Sequence, residues 1–506
     1  MEHIYKFWKD NSNLWFSSTI DDDKYITKLF LDDFNKYFDI NIESLNVQDW
    51  TSYVILYDQI IRHINRNTNK VYTPPKYFIE NCYNKFSQFD ILTDFEFMFM
   101  LMPIRHTHEL YHIHFVLNHT WNRLEKTNSI AIKKYLIATY ERYIKCSPNM
   151  DHSNVILFND NKYTKLDFID IIDKKFTEYI TQYDSSILIK QMEDFIHDNK
   201  LDNKLITVSI SGGVDSMVCS YLLKLINHPF IMIHIDYYNR DECEKEESLL
   251  KWWCSNVLNT PLYIRRIDEI NRPRCMKYEL RELYESYTKN IRFYSYITIN
   301  LDYNTEPYVM LGHNKDDTIE NIFTNIASCS HYDNLLGMTP ISKQTINGHT
   351  INFIRPLLTI MKKDIYDFAL FNDVPFLVDS TPKWSQRGKI RDIVRPALEE
   401  WNPLILDGFI NMSQRLNDMT KLVETLISKE INYTNINDIP VDSIYWDIVF
   451  KKNNINITMK TMKCFIDKIK FLKKYPHKLS EIQYFTLCKN HFIEFKQKDK
   501  LYITIK

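Results

Sequence analysis

The stretch that most constrains how this 506-residue chain can fold is ITVSISGGVDSMVCSYLL, residues 206–223. An apolar run rich in β-branched residues leads into Gly212 and Gly213, and a helical pattern begins at once. Because glycine lacks Cβ and tolerates positive φ, successive backbone N–H groups can point into one concavity at a helix N-terminus, where anions bind. The stretch therefore predicts a strand, a phosphate-binding loop and a helix, although an ordinary tight β-to-α turn would have the same outline.

Glycine is scarce in the rest of the chain, which makes this pair informative. The sequence has only seven glycines, and none precedes residue 212. Heavy use of Asn, Ile, Lys and Tyr indicates a bias of the coding genome, because no fold requires it. Two adjacent glycines that persist against this bias favour close backbone contact with a phosphate. The pattern is not a Walker loop, since the G-K-[ST] segment is missing.

The pattern of apolar and polar residues divides the sequence into four parts. Residues 1–150 carry apolar residues at helical spacing and predict an all-helical module, and the polar segment 151–185 reads as a linker. From about residue 205, β-branched runs alternate with helical stretches, which predicts a Rossmann-like parallel sheet in an α/β domain over 186–400. Helices return in 401–506, and two strand-like runs end the sequence, so a small α+β domain is expected there.

Charge is unevenly distributed along the chain. Residues 451–506 hold 14 lysines, no arginine and four carboxylates, a local net charge of +10 in a chain whose total is −2. Such a cationic end is typical of polyanion binding, and a solvated lysine-rich surface is the alternative. The nine cysteines form no C-x-x-C pair, which indicates reduced thiols. With no secretory signal and no apolar run long enough for a bilayer, a soluble cytoplasmic protein without membrane partners is expected.

Several motifs resemble those of one known family. VSISGGVDS resembles the PP-loop of the N-type ATP pyrophosphatases. The segments LGHNKDDTIENIF (311–323), IRPLL (354–358) and LVDSTPKWSQRGKIRDIVRPAL (377–398) follow in the order typical of the tRNA(Ile)-lysidine synthase family. The resemblance implies that ATP is cleaved between its α and β phosphates, C2 of an anticodon cytidine in tRNA is adenylated, and free lysine displaces AMP. It implies no cofactor beyond ATP and Mg²⁺.

The resemblance also implies roles for individual residues. ATP would bind the loop Ser211, Gly212, Gly213, Val214, Asp215 and Ser216, with Asp215 as the Mg²⁺ ligand. A helix beginning near Asp316 would place Asp317 and Glu320 on one face, where they would hold the amino groups of lysine. A solvated acidic helix start is their alternative reading. The predicted catalytic residues are Asp215, His313, Asp317 and Glu320.

Three arginines match positions of the same family. Arg292, Arg387 and Arg391 would contact tRNA, although each could instead form an ion pair. His313 follows Gly312 at the carboxyl end of a predicted strand, where open α/β sheets bind ligands. The chain departs from the family pattern at Lys289, Pro382 and Gly388. These departures weaken the substrate assignment more than the ATP assignment, because they lie outside the phosphate loop.

The amino-terminal part resembles a bacterial TPR-like helical domain of unknown function. FWKDNSNLWF (7–16), ILYDQIIRHINR (55–66) and MPIRHTHE (102–109) carry the resemblance, which implies no activity. Asp58 and Arg62 lie one helical turn apart, so an ion pair between them is expected. The matching positions are Asp58, Gln59, Arg62, Arg66, His106 and Glu109.

Two other functions remain open from the sequence. A PP-loop tRNA thiolase generally needs a cysteine pair, whereas only Cys329 lies near the predicted site. A non-catalytic RNA-binding protein on a degenerate PP-loop is disfavoured by the intact loop 211–216 and by the Asp317 and Glu320 pair. A homodimer is compatible with the sequence, which does not fix the oligomeric state.

Overall fold

The computed structural model divides the chain into two compact units. The first comprises Met1–Gly312, Ile341–Leu357 and Lys363–Asp379, and the second comprises His313–Pro340, Leu358–Lys362 and Ser380–Lys506. None of the helices described has both the length and the apolar character needed to cross a membrane. The structure describes all residues except 16–18, 38–39, 68–71, 147–154, 159–167, 173–182, 239–241, 328–336, 347, 378–384, 428–434, 454, 456, 489–490, 498–500 and 506.

The first unit begins with a helical module, as the sequence predicted. Thr19 and Thr93 each accept a hydrogen bond from the backbone three residues on, and the carboxylate at that position bonds back to the threonine, so two helices start at capping boxes. A π-helical segment, Ile55–Ile60, joins the third and fourth helices. The helices are α1 (Glu2–Asp10), α2 (Ile20–Lys36), α3 (Val47–Val54), α4 (Ile61–Asn67), α5 (Lys76–Gln88), α6 (Asp94–Arg105), α7 (Leu110–Thr127) and α8 (Ile130–Cys146).

A seven-stranded sheet follows in the same unit, in the order β1-β4-β3-β2-β5-β7-β6. The five central strands are parallel, while β1 and β6 run antiparallel at the two edges. Strand β2 lies between β3 on one side and β5 on the other, so the strand order reverses at β2. The carboxyl end of β2 is therefore a topological switch point. The strands are β1 (Val155–Phe158), β2 (Ile206–Ile210), β3 (Phe230–Asp236), β4 (Leu262–Arg266), β5 (Tyr308–Met310), β6 (Ile341–Ile346) and β7 (His349–Ile354).

Three of these strands were not expected from the sequence. β1 lies within 151–185, the range predicted to be a linker, of which the structure describes only part. β6 and β7 form a hairpin whose turn contains Gly348 at φ +84°. The helices between the strands are α9 (Ser186–Asp198), α10 (Val214–Leu225), α11 (Cys243–Trp252), α12 (Arg272–Lys277), α13 (Arg281–Asp302), α14 (Lys315–Ala327), which belongs to the second unit, and α15 (Lys362–Phe371).

One hydrophobic core connects the helical module to the sheet. At its centre the Tyr140 hydroxyl on α8 donates to the carbonyl of Glu269 (2.9 Å) and accepts from Trp121 Nε1 (2.8 Å). The ring of Tyr140 packs edge-on against Tyr287 of α13 at 5.1 Å between centroids. The hydroxyl therefore satisfies two buried groups at the contact between the helices and the sheet domain.

Replacing Tyr140 with phenylalanine should lower the free energy of unfolding by about 1–3 kcal/mol, because a buried N–H and a carbonyl would lose their partner. Chemical denaturation followed by tryptophan fluorescence measures this loss. Tyr77→Phe is the matched control, since Tyr77 is 63% exposed. An equal effect of the two substitutions would contradict the role given to the Tyr140 hydroxyl.

The second unit ends in the predicted small α+β domain. Its three-stranded antiparallel sheet, in the order β10-β9-β8, packs with two helices around buried Trp446, Phe465 and Phe495. The two final strands were predicted, whereas β8 was not. The elements are α16 (Gln386–Lys389), α17 (Arg395–Trp401), α18 (Ile405–Leu426), α19 (Ser443–Lys452), α20 (Met459–Lys474), β8 (Gln483–Cys488), β9 (His491–Gln497) and β10 (Leu501–Ile505).

Helix α20 separates its apolar and basic side chains. Met462, Phe465 and Ile469 are buried, whereas Lys463 and Lys470 are exposed. The lysine-rich carboxyl-terminal segment therefore folds with a packed apolar face and a cationic outer face.

Candidate functional site

The predicted phosphate loop connects β2 to α10 in the first unit. Gly212 has φ +78°, in the left-handed region that favours glycine, and a Cβ there would lie 2.4 Å from Leu377 Cδ1. The carbonyl of Gly212 accepts a hydrogen bond from Leu377 N at 2.9 Å. Gly213 differs, since its φ is −71° and an added Cβ would meet only Ser211 Oγ, at 3.5 Å. The backbone geometry thus requires glycine at the first position but not at the second.

Two serine hydroxyls shape the loop from within. Ser216 Oγ accepts from Ser211 N at 3.1 Å and donates to the carbonyl of Gly213 at 3.0 Å. Ser216 is 6% exposed, while Ser211 is exposed and its Oγ accepts from Gly213 N at 3.4 Å. The resemblance placed both serines among the residues that would bind ATP. In this structure Ser216 holds the loop closed on itself, and Ser211 presents its side chain at the surface.

The N-terminus of α10 is open to an anion. Its N-cap is Gly213, which has no side chain that could cap the first turn. The helix dipole adds partial positive charge at this end. Asp215 lies in the first turn and is half-buried. The loop therefore combines backbone donors with one carboxylate.

The end of β5 lies against this helix start. Leu311 N donates to the carbonyl of Ile354 at 3.0 Å, and Gly312 follows. A Cβ on Gly312 would lie 2.9 Å from the backbone of Asp215 and from Ser216 N. Only glycine permits this approach without moving backbone, so the carboxyl end of β5 helps to position the first turn of α10.

Two further contacts surround the carboxyl end of β2 and were not anticipated. His234 of β3 is 4% exposed, and its Nδ1 lies 3.1 Å from the carbonyl of Ile210, the last residue of β2. Tyr296 of α13 shares a hydrogen bond with Ser209 at 2.8 Å. A lone histidine within the apolar run FIMIHID was the available sequence signal for the first contact.

Arg292, predicted to contact tRNA, lies on α13 one turn before Tyr296. Its guanidinium lies 5.3 Å from the Phe293 ring centroid, and its Nε is buried without a partner in the part of the chain that the structure describes. Lys289, a departure from the family pattern, lies on the same helix with its Nζ 5.6 Å from the same ring. Both cations thus flank one aromatic side chain.

In the second unit, α14 begins at Lys315, one residue before the predicted start. Asn314 caps it, since its Oδ1 accepts from Asp316 N (2.9 Å) and Asp317 N (3.1 Å). Asp317 Oδ2 in turn accepts from Asn314 N at 3.1 Å. Asp317 therefore also stabilises the start of α14. His313 precedes this cap and is half-buried.

Glu320 lies on α14 and is 3% exposed. Arg391 binds both of its carboxylate oxygens, with NH2 3.3 Å from Oε2 and Nε against Oε1. Arg387 Nε is 3.9 Å from Oε2, and Arg391 NH2 is 3.8 Å from Asp317 Oδ1. Burial raises the pKa of Glu320, and the Arg391 guanidinium opposes that rise. The four residues form a carboxylate–arginine cluster.

The sequence assigned the carboxylates to lysine and the arginines to tRNA, with ion pairs as the alternative for each arginine. The structure pairs them with one another. A third arginine, Arg395, was missed and pairs with Asp316 at 3.0 Å. Arg387, Arg391 and Arg395 recur every four residues, so they share one helix face. This spacing could have identified Arg395 from the sequence.

Two of the departures from the family pattern, Pro382 and Gly388, lie in the segment that precedes Arg391. Gly388 is buried in α16, and its N–H donates to Ser385 Oγ at 3.0 Å, so it forms part of a capped helix start. Pro382 lies outside the described residues, as does Cys329, the cysteine considered for a thiolase.

Comparison with known proteins agrees with the loop geometry. Residues 185–398 match the family model of the PP-loop domain. Residues 4–157 match the model of a bacterial protein of unknown function, DUF924. The chain thus contains a PP-loop domain, in which β2, the phosphate loop and α10 are the elements described above.

The chain is also similar to named proteins over about half its length. It is 28% identical to the tRNA(Ile)-lysidine synthase of Borreliella burgdorferi over 245 residues, which cover 47% of this chain and 51% of that protein. It is 29% identical to the tRNA(Ile)-lysidine synthase of Thermosipho africanus over 236 residues, or 45% and 52% of the two chains. The chain spans about half the length of these curated relatives.

Among solved structures, the chain matches a U34-tRNA thiolase from Methanococcus maripaludis. The TM-score is 0.37 and the sequence identity 17%, with 46% of this chain and 81% of the thiolase covered. It also matches an NH3-dependent NAD synthetase from Campylobacter jejuni with a TM-score of 0.28 at 18% identity, over 50% of this chain and all of the synthetase.

Proposed function

We propose that this chain, whose residues 185–398 form a PP-loop domain, is an ATP-dependent tRNA-modifying ligase that joins free lysine to an anticodon cytidine. The observation that carries the proposal is the loop between β2 and α10, with its left-handed Gly212 and uncapped helix N-terminus. The similarity to tRNA(Ile)-lysidine synthases supports the choice of substrate.

ATP would lie with its phosphates against the loop. The backbone N–H groups at 212–216 and the dipole of α10 would stabilise the departing pyrophosphate. Mg²⁺ in such sites is held by one or two carboxylates together with substrate phosphates. Asp215 supplies one carboxylate in the first turn of α10, and this donor fits Mg²⁺ bound mainly through phosphate. When bound, Mg²⁺ would neutralise the charge of the pyrophosphate.

Two displacements complete the proposed reaction. The C2 oxygen of cytidine attacks the α-phosphorus, and the bond to pyrophosphate breaks. The lysine ε-amine then attacks C2, loses a proton, and AMP leaves with the former C2 oxygen. The carboxylate–arginine cluster would bind the amino acid, with Asp317 and Glu320 facing its ammonium group and Arg387 or Arg391 its carboxylate. Since Arg391 already binds Glu320, lysine would enter by exchanging one of these contacts.

The tRNA would be held through its phosphates. The exposed lysines of α20 and the net charge of +10 over 451–506 suit a polyanion. Arg292 and His313 are proposed to act nearer the reacting cytidine. The eight cysteines of the described ranges are free thiols, which suits a reducing cytoplasm where tRNA is modified.

The test is incubation of the protein with ATP, Mg²⁺, lysine and a tRNA bearing a CAU anticodon. We expect AMP and pyrophosphate to form in amounts equal to a lysine-bearing nucleoside detected by mass spectrometry. Omitting lysine should stop nucleoside formation, and a tRNA with another anticodon serves as the control. Unmodified cytidine together with sulfur incorporation from an added donor would replace the proposal with thiolation.

A further inference from the structure

The helical module contains a buried polar cluster that the proposed reaction does not use. Asp58 is fully buried in the π-helical segment Ile55–Ile60, a type of segment often found at functional sites. Arg62 NH2 donates to Asp58 Oδ1 at 2.8 Å, which confirms the ion pair expected from their spacing. His106 Nδ1 donates to Asp58 Oδ2, also at 2.8 Å. Asp58 thus joins α4 to the end of α6.

The charges of these three groups cancel. Burial would raise the pKa of Asp58, but His106 and Arg62 outweigh it and lower that pKa to about 2. Burial lowers the pKa of His106 to about 4. At neutral pH, Asp58 is therefore ionised against Arg62, while His106 is neutral and carries its proton on Nδ1.

Two further arginines, at the end of α6 and on α8, have no carboxylate in hydrogen-bond contact among the described residues. Arg105 donates to Thr139 Oγ1 (3.1 Å) and to the carbonyl of Ala138 (2.8 Å). Arg142 NH2 donates to the carbonyl of His106 at 2.5 Å. Within the described residues, neither guanidinium forms an ion pair, and burial lowers the pKa of both. Both side chains are partly buried, and Asp58, whose charge opposes the fall in both pKa values, is already paired with Arg62.

Unused donors lie beside them. Arg142 Nε is buried and has no partner in the described part of the chain, and the same holds for the hydroxyl of Tyr135. Tyr135 is fully buried, and the Arg105 guanidinium lies 5.6 Å from its ring centroid. Buried donors normally have acceptors, so Arg142 Nε and the Tyr135 hydroxyl are each available to a bound group.

A second polar cluster in the module contains an arginine that is paired with a carboxylate, unlike Arg105 and Arg142. Arg66 binds both oxygens of Asp23 at 2.9 Å, and His63 Nδ1 binds the same carboxylate at 2.6 Å. This arginine has its counter-ion within the chain.

We propose that Arg105, Arg142 and Tyr135 form a binding site for a small oxyanion, a phosphate or carboxylate group of a metabolite. Guanidinium forks match oxyanion geometry and remain charged on partial burial. Arg105 and Arg142 are themselves partly exposed, so an oxyanion would meet their guanidinium groups first. The full burial of Tyr135 limits that oxyanion to a small one.

The test uses the full chain and peptide-resolved hydrogen–deuterium exchange, with inorganic phosphate and succinate as separate probes against chloride at equal ionic strength. One probe should protect peptides that cover 100–108 and 135–146. Arg142→Gln should weaken its apparent affinity about tenfold to a hundredfold, the range for a hydrogen bond to a charged group. Protection by phosphate alone or by succinate alone identifies the oxyanion class.

Matched variants separate this site from other effects. Arg123→Gln, in the same module but paired with Asp94 at 2.8 Å, should keep wild-type affinity. Tyr135→Phe provides a second test if Arg142→Gln does not fold, and it should also weaken binding. Phosphate protection confined to peptides around 206–217 would reflect the phosphate loop alone and would overturn the proposal. The proposal would also be overturned if Tyr135→Phe and every folded Arg142 variant bound the probe as tightly as the wild type.

Discussion

Replacing Gly312 with alanine should reduce ATP-dependent pyrophosphate release by about 100-fold, the scale of a misplacement near 1 Å in an active site. The added Cβ would lie 2.9 Å from the backbone of Asp215 and from Ser216 N. These neighbours are backbone atoms, so no side-chain rotation relieves the clash, and the first turn of α10 must shift. The overpacking should also lower the free energy of unfolding by about 1–3 kcal/mol.

The measurement is a pyrophosphate-release assay beside a thermal melt. Gly408→Ala is the matched control, since a Cβ there meets no atom within 4 Å. In helix α18, alanine is favoured over glycine, so this control should keep activity and melt no lower than the wild type. If Gly312→Ala retained full pyrophosphate release, the close approach of β5 to α10 would have no part in placing the phosphates.

Asp215→Asn should lower pyrophosphate release roughly 100- to 1,000-fold, the scale seen when one preorganised electrostatic group is removed from an active site. Asparagine keeps the shape of the side chain but removes the charge proposed to hold Mg²⁺ in the first turn of α10. Retention of tRNA should change little, because the proposed contacts to tRNA phosphates come from lysine and arginine side chains. Filter binding and pyrophosphate release, measured on the same preparation, test both expectations.

The control for this substitution is Asp198→Asn, which changes an exposed carboxylate at the end of α9. It should leave both pyrophosphate release and tRNA retention at wild-type levels. A parallel loss of release and retention in Asp215→Asn would indicate a folding defect. Undiminished release would remove Asp215 from the proposed catalytic residues.

The phosphate loop could be predicted because its signal is local. A β-branched run, Gly212 and a helical pattern are adjacent in sequence, and positive φ at Gly212 is a property of that residue alone. The helical module and four of the five parallel strands, β2 to β5, were predicted for the same reason. The short edge strand β1 was not, because a four-residue segment in a polar context gains its structure from pairing with β4.

The partners within the candidate site could not be predicted, because they are distant in sequence. Glu320 and Arg391 are 71 residues apart, and nothing in either local pattern specifies that they meet. The packing of Gly312 against Asp215 likewise depends on β5 lying beside β2 in the sheet. Residue types were sufficient to nominate these side chains, while tertiary structure decided which contacts they make.

The hydroxyl of Tyr140 has a consequence for how this chain can be divided. Cutting near residue 150 would separate Tyr140 from the Glu269 carbonyl and from the ring of Tyr287, and would leave apolar surface uncovered on both fragments. Each fragment should therefore be less stable than the same residues in the intact chain. Deleting either part to study the other would change the part that is kept.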